Sequence, residues 1–139
     1  MNSEINETIN DFNNTLLSLA INIAKVCPLS IIGTNINTIE KTLKNSKFKI
    51  KFIELFCIKV LKYKDQIDKG DESFFMDKDY HNDIDDDNAS LLNTVISLKS
   101  IWKDLKRENK NIVIMNMQIL CELSQQYYTY IIKQKQNTN

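Results

Sequence analysis

Glycine and proline are nearly absent from this chain of 139 residues, which has two glycines and one proline. An all-β domain needs turn residues about every 8–12 positions, so this scarcity argues against that fold class. Nucleotide-binding folds cradle phosphates with glycine-rich loops, and the sequence contains no such loop. We therefore expect an all-α protein without a phosphate-binding loop.

Side chains suited to catalysis or metal binding are also scarce. His81 is the single histidine, and the cysteines Cys27, Cys57 and Cys121 are far apart and lie among apolar residues. Typical zinc sites need closely spaced ligands, and a thiol on an apolar helix face is inert. We therefore expect no enzymatic activity, no cofactor and no metal. The polar N-terminal residues do not form a signal peptide, so we expect an intracellular protein with free thiols.

Periodic apolar residues predict one domain, an irregular bundle of about five helices. The predicted helices cover residues 3–26, 34–44, 47–64, 89–107 and 111–133. Pro28 ends the first helix, and Gly70 follows the third, where a left-handed residue often closes a helix. Residues 108–111 are predicted to form a polar turn, and residues 134–139 a frayed tail.

The stretch 47–64 is predicted to be the central helix. Its polar residues Lys47, Lys51, Glu54 and Lys62 form one narrow stripe, and apolar side chains cover most of the remaining circumference. A helix of this kind is normally buried by several neighbours. Because lysines interrupt it, it does not qualify as a membrane span, which needs about 20 mostly apolar residues. We expect no membrane association.

The last two predicted helices each carry a regular apolar seam. The seam of the fourth consists of Leu91, Val95, Leu98, Trp102 and Leu105. The main apolar side of the fifth consists of Ile112, Met115, Ile119, Leu123, Tyr127 and Ile131. A second apolar side on the fifth, which includes Val113, Met117 and Cys121, predicts burial by more than one neighbour or a homo-oligomer interface.

Residues 71–88, DESFFMDKDYHNDIDDDN, have no helical periodicity and are predicted to form a long aromatic and acidic loop. Asp83, Asp85 and Asp87 alternate as the first calcium ligands of an EF-hand do, but the glycine and the glutamate that such a loop requires are missing. A solvated acidic loop is therefore favoured over a calcium site. Long loops in compact domains are usually functional or disordered.

The first half of this loop contains the candidate partner-docking residues. They are Phe74, Phe75, Met76, Asp77, Asp79 and Tyr80. Rigid aromatic rings supply contact area in interfaces, and adjacent charges supply selectivity. The alternative, which we favour, is that Phe75 and Tyr80 close one end of the helical core.

Charge sums to zero but is segregated, with a net charge of −2 in residues 1–39, +6 in residues 40–64, −8 in residues 65–87 and +4 in residues 88–139. Two basic runs brought together would form a surface that attracts phosphates. The candidate nucleic-acid contacts are Lys44, Lys47, Lys51, Lys99, Lys103, Lys106, Arg107 and Lys110. Ordinary solvated helix faces are the simpler interpretation, since no helical nucleic-acid motif is recognisable.

Several segments resemble small uncharacterised helical proteins of the nucleocytoplasmic large DNA viruses, in particular the mimivirus-like group. They are Cys27-Pro28 through Asn35, Lys62-Tyr63-Lys64, DESFFMDKDY at 71–80, and Ile101-Trp102-Lys103-Asp104-Leu105 followed by Asn109-Lys110. The resemblance covers about residues 27–130 and implies a virion or virus-factory location. It carries no catalytic residue over to this chain.

Together these features predict a non-enzymatic interaction or structural protein that docks a viral or host protein. The alternative is a nucleic-acid-binding protein that uses the lysine-rich helix faces.

Overall fold

The structure is a computed structural model that describes residues 3–78 and 90–137. These ranges contain eight α-helices and no strand, which confirms the all-α class. The predicted number of about five helices is wrong. The helices are α1 (Ser3–Val26), α2 (Ile31–Thr34), α3 (Ile36–Lys44), α4 (Lys51–Lys59), α5 (Lys64–Asp68), α6 (Glu72–Asp77), α7 (Ser90–Ile96) and α8 (Arg107–Asn137). Three-residue 3₁₀ turns occur at Ser46–Phe48, Leu61–Tyr63 and Trp102–Asp104.

The centre of the bundle is the pairing of α1 with α8, the two long helices. On α1, apolar side chains three and four residues apart are fully buried, among them Ile9, Phe12 and Leu16. Each such side chain contributes about 1.5–3 kcal/mol when it leaves water. The predicted central role of residues 47–64 is therefore wrong, because the longest buried stripe belongs to α1.

Residues 47–64 do not form one helix. A 3₁₀ turn precedes α4, and a second one at Leu61–Tyr63 leads into α5. A 3₁₀ turn winds with fewer residues per turn than an α-helix, so it rotates the apolar face that follows. This rotation lets Phe56 and Ile67 both be buried, whereas Ile58 on the straight part of α4 stays exposed.

The predicted fourth helix, residues 89–107, is likewise divided into α7 and the 3₁₀ turn at Trp102–Asp104. The Ser97 hydroxyl donates to Asn93 Oδ1 at 2.7 Å, at the C-terminal end of α7. The Ser97 amide also donates to the Asn93 carbonyl oxygen at 2.9 Å, so this side-chain bond lies on the last turn of the helix. The burial predicted from the apolar seam is nevertheless confirmed, since Val95, Leu98 and Trp102 all lie in the core.

The last helix is longer than predicted, and the side that it buries is not the predicted main side. It begins at Arg107, so residues 108–111 belong to its first turn, where Glu108 suits the positive end of the helix dipole. It continues to Asn137, through most of the predicted tail. Val113, Met117 and Cys121 form its buried side together with Tyr127. The predicted main side is partly exposed, with Ile112, Met115 and Ile119 on the surface.

The two glycines lie close to connections between helices. Gly70 has a φ of 65° directly after the end of α5, which confirms the predicted left-handed residue there. Gly33 lies in α2, which packs against α1 and α7. The predicted helix at residues 34–44 is in fact α3, and it is separated from α2 at Asn35.

Candidate partner-binding groove

The first part of the predicted 71–88 loop is helical. Asp71 caps α6, with its Oδ1 accepting a hydrogen bond from the Ser73 amide at 3.0 Å. The helix spans Glu72–Asp77 and contains four of the six docking candidates. The prediction that residues 71–88 form a loop is therefore wrong for this helix. The Asp71 cap and the burial of Phe75 stabilise the helix, although the sequence has no helical periodicity here.

Phe75 is a core residue rather than a surface anchor. It is 5% exposed, and its ring stacks on that of Trp102 with centroids 5.5 Å apart. Phe74 is half-buried and contacts Tyr63 with centroids 5.7 Å apart. The position of Phe75 agrees with the core-closing alternative and counts against a docking role for that ring. Met76 and Asp77 are exposed.

A carboxylate fastens α6 to the start of α8. Glu72 accepts hydrogen bonds from Arg107 at 2.9 Å and from the Trp102 indole at 3.1 Å, and it pairs with Lys110 at 3.2 Å. The hydrogen bonds from Arg107, then Trp102, then Lys110 lower the pKa of Glu72 to about 2. The Glu72 carboxylate fixes the start of α6, and the Phe75–Trp102 stack fixes the later part, next to Met76.

A half-open groove of 720 Å³ lies between α2, the end of α6, α7 and the segment 99–103. It is lined by Ser30, Ile31, Ile32, Met76, Thr94, Ser97, Lys99, Ser100, Ile101, Trp102 and Lys103. Ile32, Ile101 and Trp102 are buried and form an apolar floor. Ser30 positions α2 beside it by donating to the Cys27 carbonyl oxygen at 2.6 Å and accepting from the Gly33 amide at 3.0 Å.

A second hollow of 590 Å³ adjoins the groove and shares Ser30, Ile31, Ser100 and Ile101 with it. Four of the ten large apolar side chains that are exposed among the described residues lie along these two hollows. They are Val26 at 45%, Leu29 at 91%, Ile31 at 67% and Met76 at 43% exposure. A contiguous exposed apolar patch with polar neighbours is typical of an interaction site.

The predicted basic residues do not gather on one surface. Lys99 and Lys103 both line the groove, and both are exposed. Arg107 and Lys110 are both held by Glu72. Lys44 pairs with Glu40 at 2.7 Å.

The other basic candidates occupy separate places. Lys47 and Lys106 are exposed, and Lys51 is half-buried at the start of α4. The structure thus brings one pair of candidates, Lys99 and Lys103, to the groove, where one docking candidate, Met76, also lies.

The thiols of Cys57 and Cys121 lie apart from both hollows and are poor nucleophiles. Burial, and then the charge of Glu54, raises the pKa of Cys57 to about 12, and its Sγ donates to the Ser124 carbonyl oxygen at 3.2 Å. Burial is also the main cause that raises the pKa of Cys121 to about 12. Both thiols are therefore protonated at neutral pH. The free thiols that the sequence predicts are found at all three cysteines.

Several predicted residues lie outside the described part of the chain. These are Asp79, Tyr80, His81 and the aspartates at 83, 85 and 87. Within the described residues, no group of three or more histidine, cysteine or acidic side chains is arranged to hold a metal ion. Likewise, none of the helices in residues 3–78 and 90–137 combines the length and apolarity needed to cross a bilayer.

Sequence reasoning missed the α2 side of the groove. Leu29 and Ile31 lie in an apolar stretch directly after Pro28 that looks like a simple connector. The sequence did contain a signal for this surface. An apolar run that lies outside the predicted helices is not assigned to any buried helix face, so its side chains are candidates for exposure. Its contact with α7, however, depends on the tertiary fold.

Comparison with protein-family models, with curated proteins and with solved structures found no match for this chain.

Proposed function

We propose that this protein is a non-enzymatic interaction protein whose groove receives an apolar segment of a partner protein. The observation that carries the proposal is that Leu29 and Ile31, the two most exposed large apolar side chains among the described residues, lie along two adjoining hollows. Burying such side chains against a partner contributes about 25 cal/mol for each Å² removed from water. The viral setting and the identity of the partner, viral or host, stay predictions.

Nucleic-acid binding through the lysine faces is supported less well. Three of its eight candidate cations, Lys44, Arg107 and Lys110, are engaged with carboxylates of the same chain. An engaged cation must give up that contact before it can bind a phosphate, which lowers its net contribution.

The experiment compares Ile31→Gln with the matched control Ile58→Gln. Ile31 and Ile58 are the same residue type with nearly equal exposure, 67% and 66%, and only Ile31 lines the groove. Tagged wild type and both variants are used to capture proteins from nuclease-treated extract, with circular dichroism as the check of folding. We expect the captured proteins to be lost with Ile31→Gln and kept with Ile58→Gln. Equal capture by all three would contradict the proposal.

A further inference from the structure

The shape of the apolar surface restricts its occupant. The groove and the second hollow share four residues and together extend from Met76 to Val26. A small molecule is normally enclosed by a single concave pocket. Two open hollows in a row instead suit a stretch of polypeptide that inserts successive side chains.

Among the described residues, the charged side chains that line the groove have one sign. Lys99 and Lys103 are its charged lining residues, and both are exposed. Asp104 borders only the second hollow. Since complementary charge governs the choice of partner more than the strength of binding, the side of the groove at Lys99 and Lys103 selects for carboxylates.

The aromatic content of the groove argues against a nucleic-acid strand. Base stacking needs an accessible ring, and Trp102, the aromatic residue among the described lining residues, is 1% exposed. One face of Trp102 is covered by the stacked ring of Phe75. The floor therefore offers apolar contact without a stacking platform.

From these observations we propose that the partner segment is an acidic peptide with apolar residues. Its apolar side chains occupy the two hollows beside Ile31 and Met76, and its Asp or Glu side chains pair with Lys99 and Lys103. This inference rests on the proposed function, since it specifies the chemistry of the segment that the groove receives.

The test starts from a display library of random peptides of about 16 residues, panned on the immobilised full chain and read by sequencing. We expect the enriched peptides to combine apolar residues with a net negative charge. Enrichment of neutral or basic sequences, or no enrichment over the bare surface, would overturn the inference.

One enriched peptide is then synthesised, and its affinity is measured by fluorescence anisotropy. We expect Lys99→Glu with Lys103→Glu to weaken binding about tenfold, because two surface attractions become repulsions. The matched control is Lys41→Glu with Lys47→Glu, which changes the net charge equally at exposed lysines that do not line the groove. If both double variants lost peptide affinity equally, the loss would come from long-range charge rather than from contacts in the groove, and the inference would be overturned.

The variants Ile31→Gln and Ile58→Gln separate this inference from the proposed function. If Ile31→Gln weakens peptide binding but Lys99→Glu with Lys103→Glu does not, the groove binds peptides without selecting acids, and only the inference fails. If Ile31→Gln and Ile58→Gln both bind as the wild type does, the proposed function fails as well. A last outcome is that no peptide is enriched, but the protein sediments with phosphatidylcholine–phosphatidylserine vesicles and Ile31→Gln does not. The partner would then be a lipid surface, and the inference would be wrong.

Discussion

Gly33 is the residue at which the lack of a side chain matters most for the groove. A Cβ placed there would lie 2.4 Å from the Pro28 carbonyl oxygen and 2.6 Å from that of Cys27. Both are backbone atoms, so the clash is relieved only by moving the turn that presents Leu29 and Ile31. Gly33 therefore keeps the apolar turn close against the start of α2.

We expect Gly33→Ala to lower the free energy of unfolding by about 2 kcal/mol or more, since it forces a backbone shift. Gly70→Ala is the comparison. Its Cβ meets only side-chain atoms, at 3.6 Å and beyond, and it suffers only from the φ of 65°, which costs about 1–2 kcal/mol. Urea unfolding followed by circular dichroism measures both values. A Gly33→Ala variant as stable as wild type would contradict the predicted clash.

Phe75 and Met76 are neighbours in sequence with opposite roles. We expect Phe75→Ala to lower the free energy of unfolding by about 3–5 kcal/mol, because it leaves a cavity beside Trp102. Met76→Ala is expected to change it by less than about 0.5 kcal/mol, because that side chain is exposed. Thermal or urea unfolding gives both numbers. Similar stabilities for the two variants would mean that Phe75 does not support the core.

At the scale of elements, Glu72 links α6 to α8, and its protonation should loosen that link. The pKa of its carboxyl lies at about 2 in the folded protein and at 4.5 without these contacts. A lowered folded pKa means that the stabilisation is complete above about pH 4.5 and is lost as the pH falls towards about 2. The stabilisation by Glu72 is therefore complete at neutral pH and is lost only under acid conditions.

The single tryptophan, Trp102, reports on this link because its indole donates to Glu72. We expect its fluorescence to change between about pH 4.5 and pH 2 in the wild type. Glu72→Gln should show an altered emission already at neutral pH and a smaller change in that window. Identical pH profiles for the two proteins would show that Glu72 does not hold α6 in place.

Two long apolar patterns were predicted as continuous helices and are not. In residues 47–64 and in residues 89–107, the spacing of apolar residues correctly indicated burial for Phe56, Val95 and Trp102. It did not indicate where the chain turns. A short 3₁₀ turn preserves approximate three-residue spacing, so the same pattern fits a broken helix and a straight one.

At the scale of the whole molecule, the zero net charge limits nonspecific attraction to polyanions. We expect an oligonucleotide of about 20 nucleotides to show no measurable binding at about 200 mM salt, where displaced counterions no longer drive association. Fluorescence anisotropy at about 50 and 200 mM salt tests this. Measurable binding at the higher salt would contradict it, and only an affinity that falls steeply from the lower to the higher salt would support the lysine-face alternative.

The candidate site was predictable only in part. Met76, Lys99 and Lys103 were singled out from the sequence for two different functions, and the fold places all three on one groove. Leu29 and Ile31, the most exposed large apolar side chains along the groove and the second hollow, were not singled out. Their importance arises because α2 packs beside α7, and no local pattern records that contact.

The sequence by itself determined the helical class, the break after Val26, the left-handed residue Gly70 and the burial of most apolar seams. These features follow from local sterics and hydrophobic spacing, which act between residues close in the chain. Only the tertiary structure decided that α1 and α8 form the centre and that Phe75 lies on Trp102. Those outcomes depend on which distant faces fit together at close packing, a property of the whole set of helices rather than of any one segment.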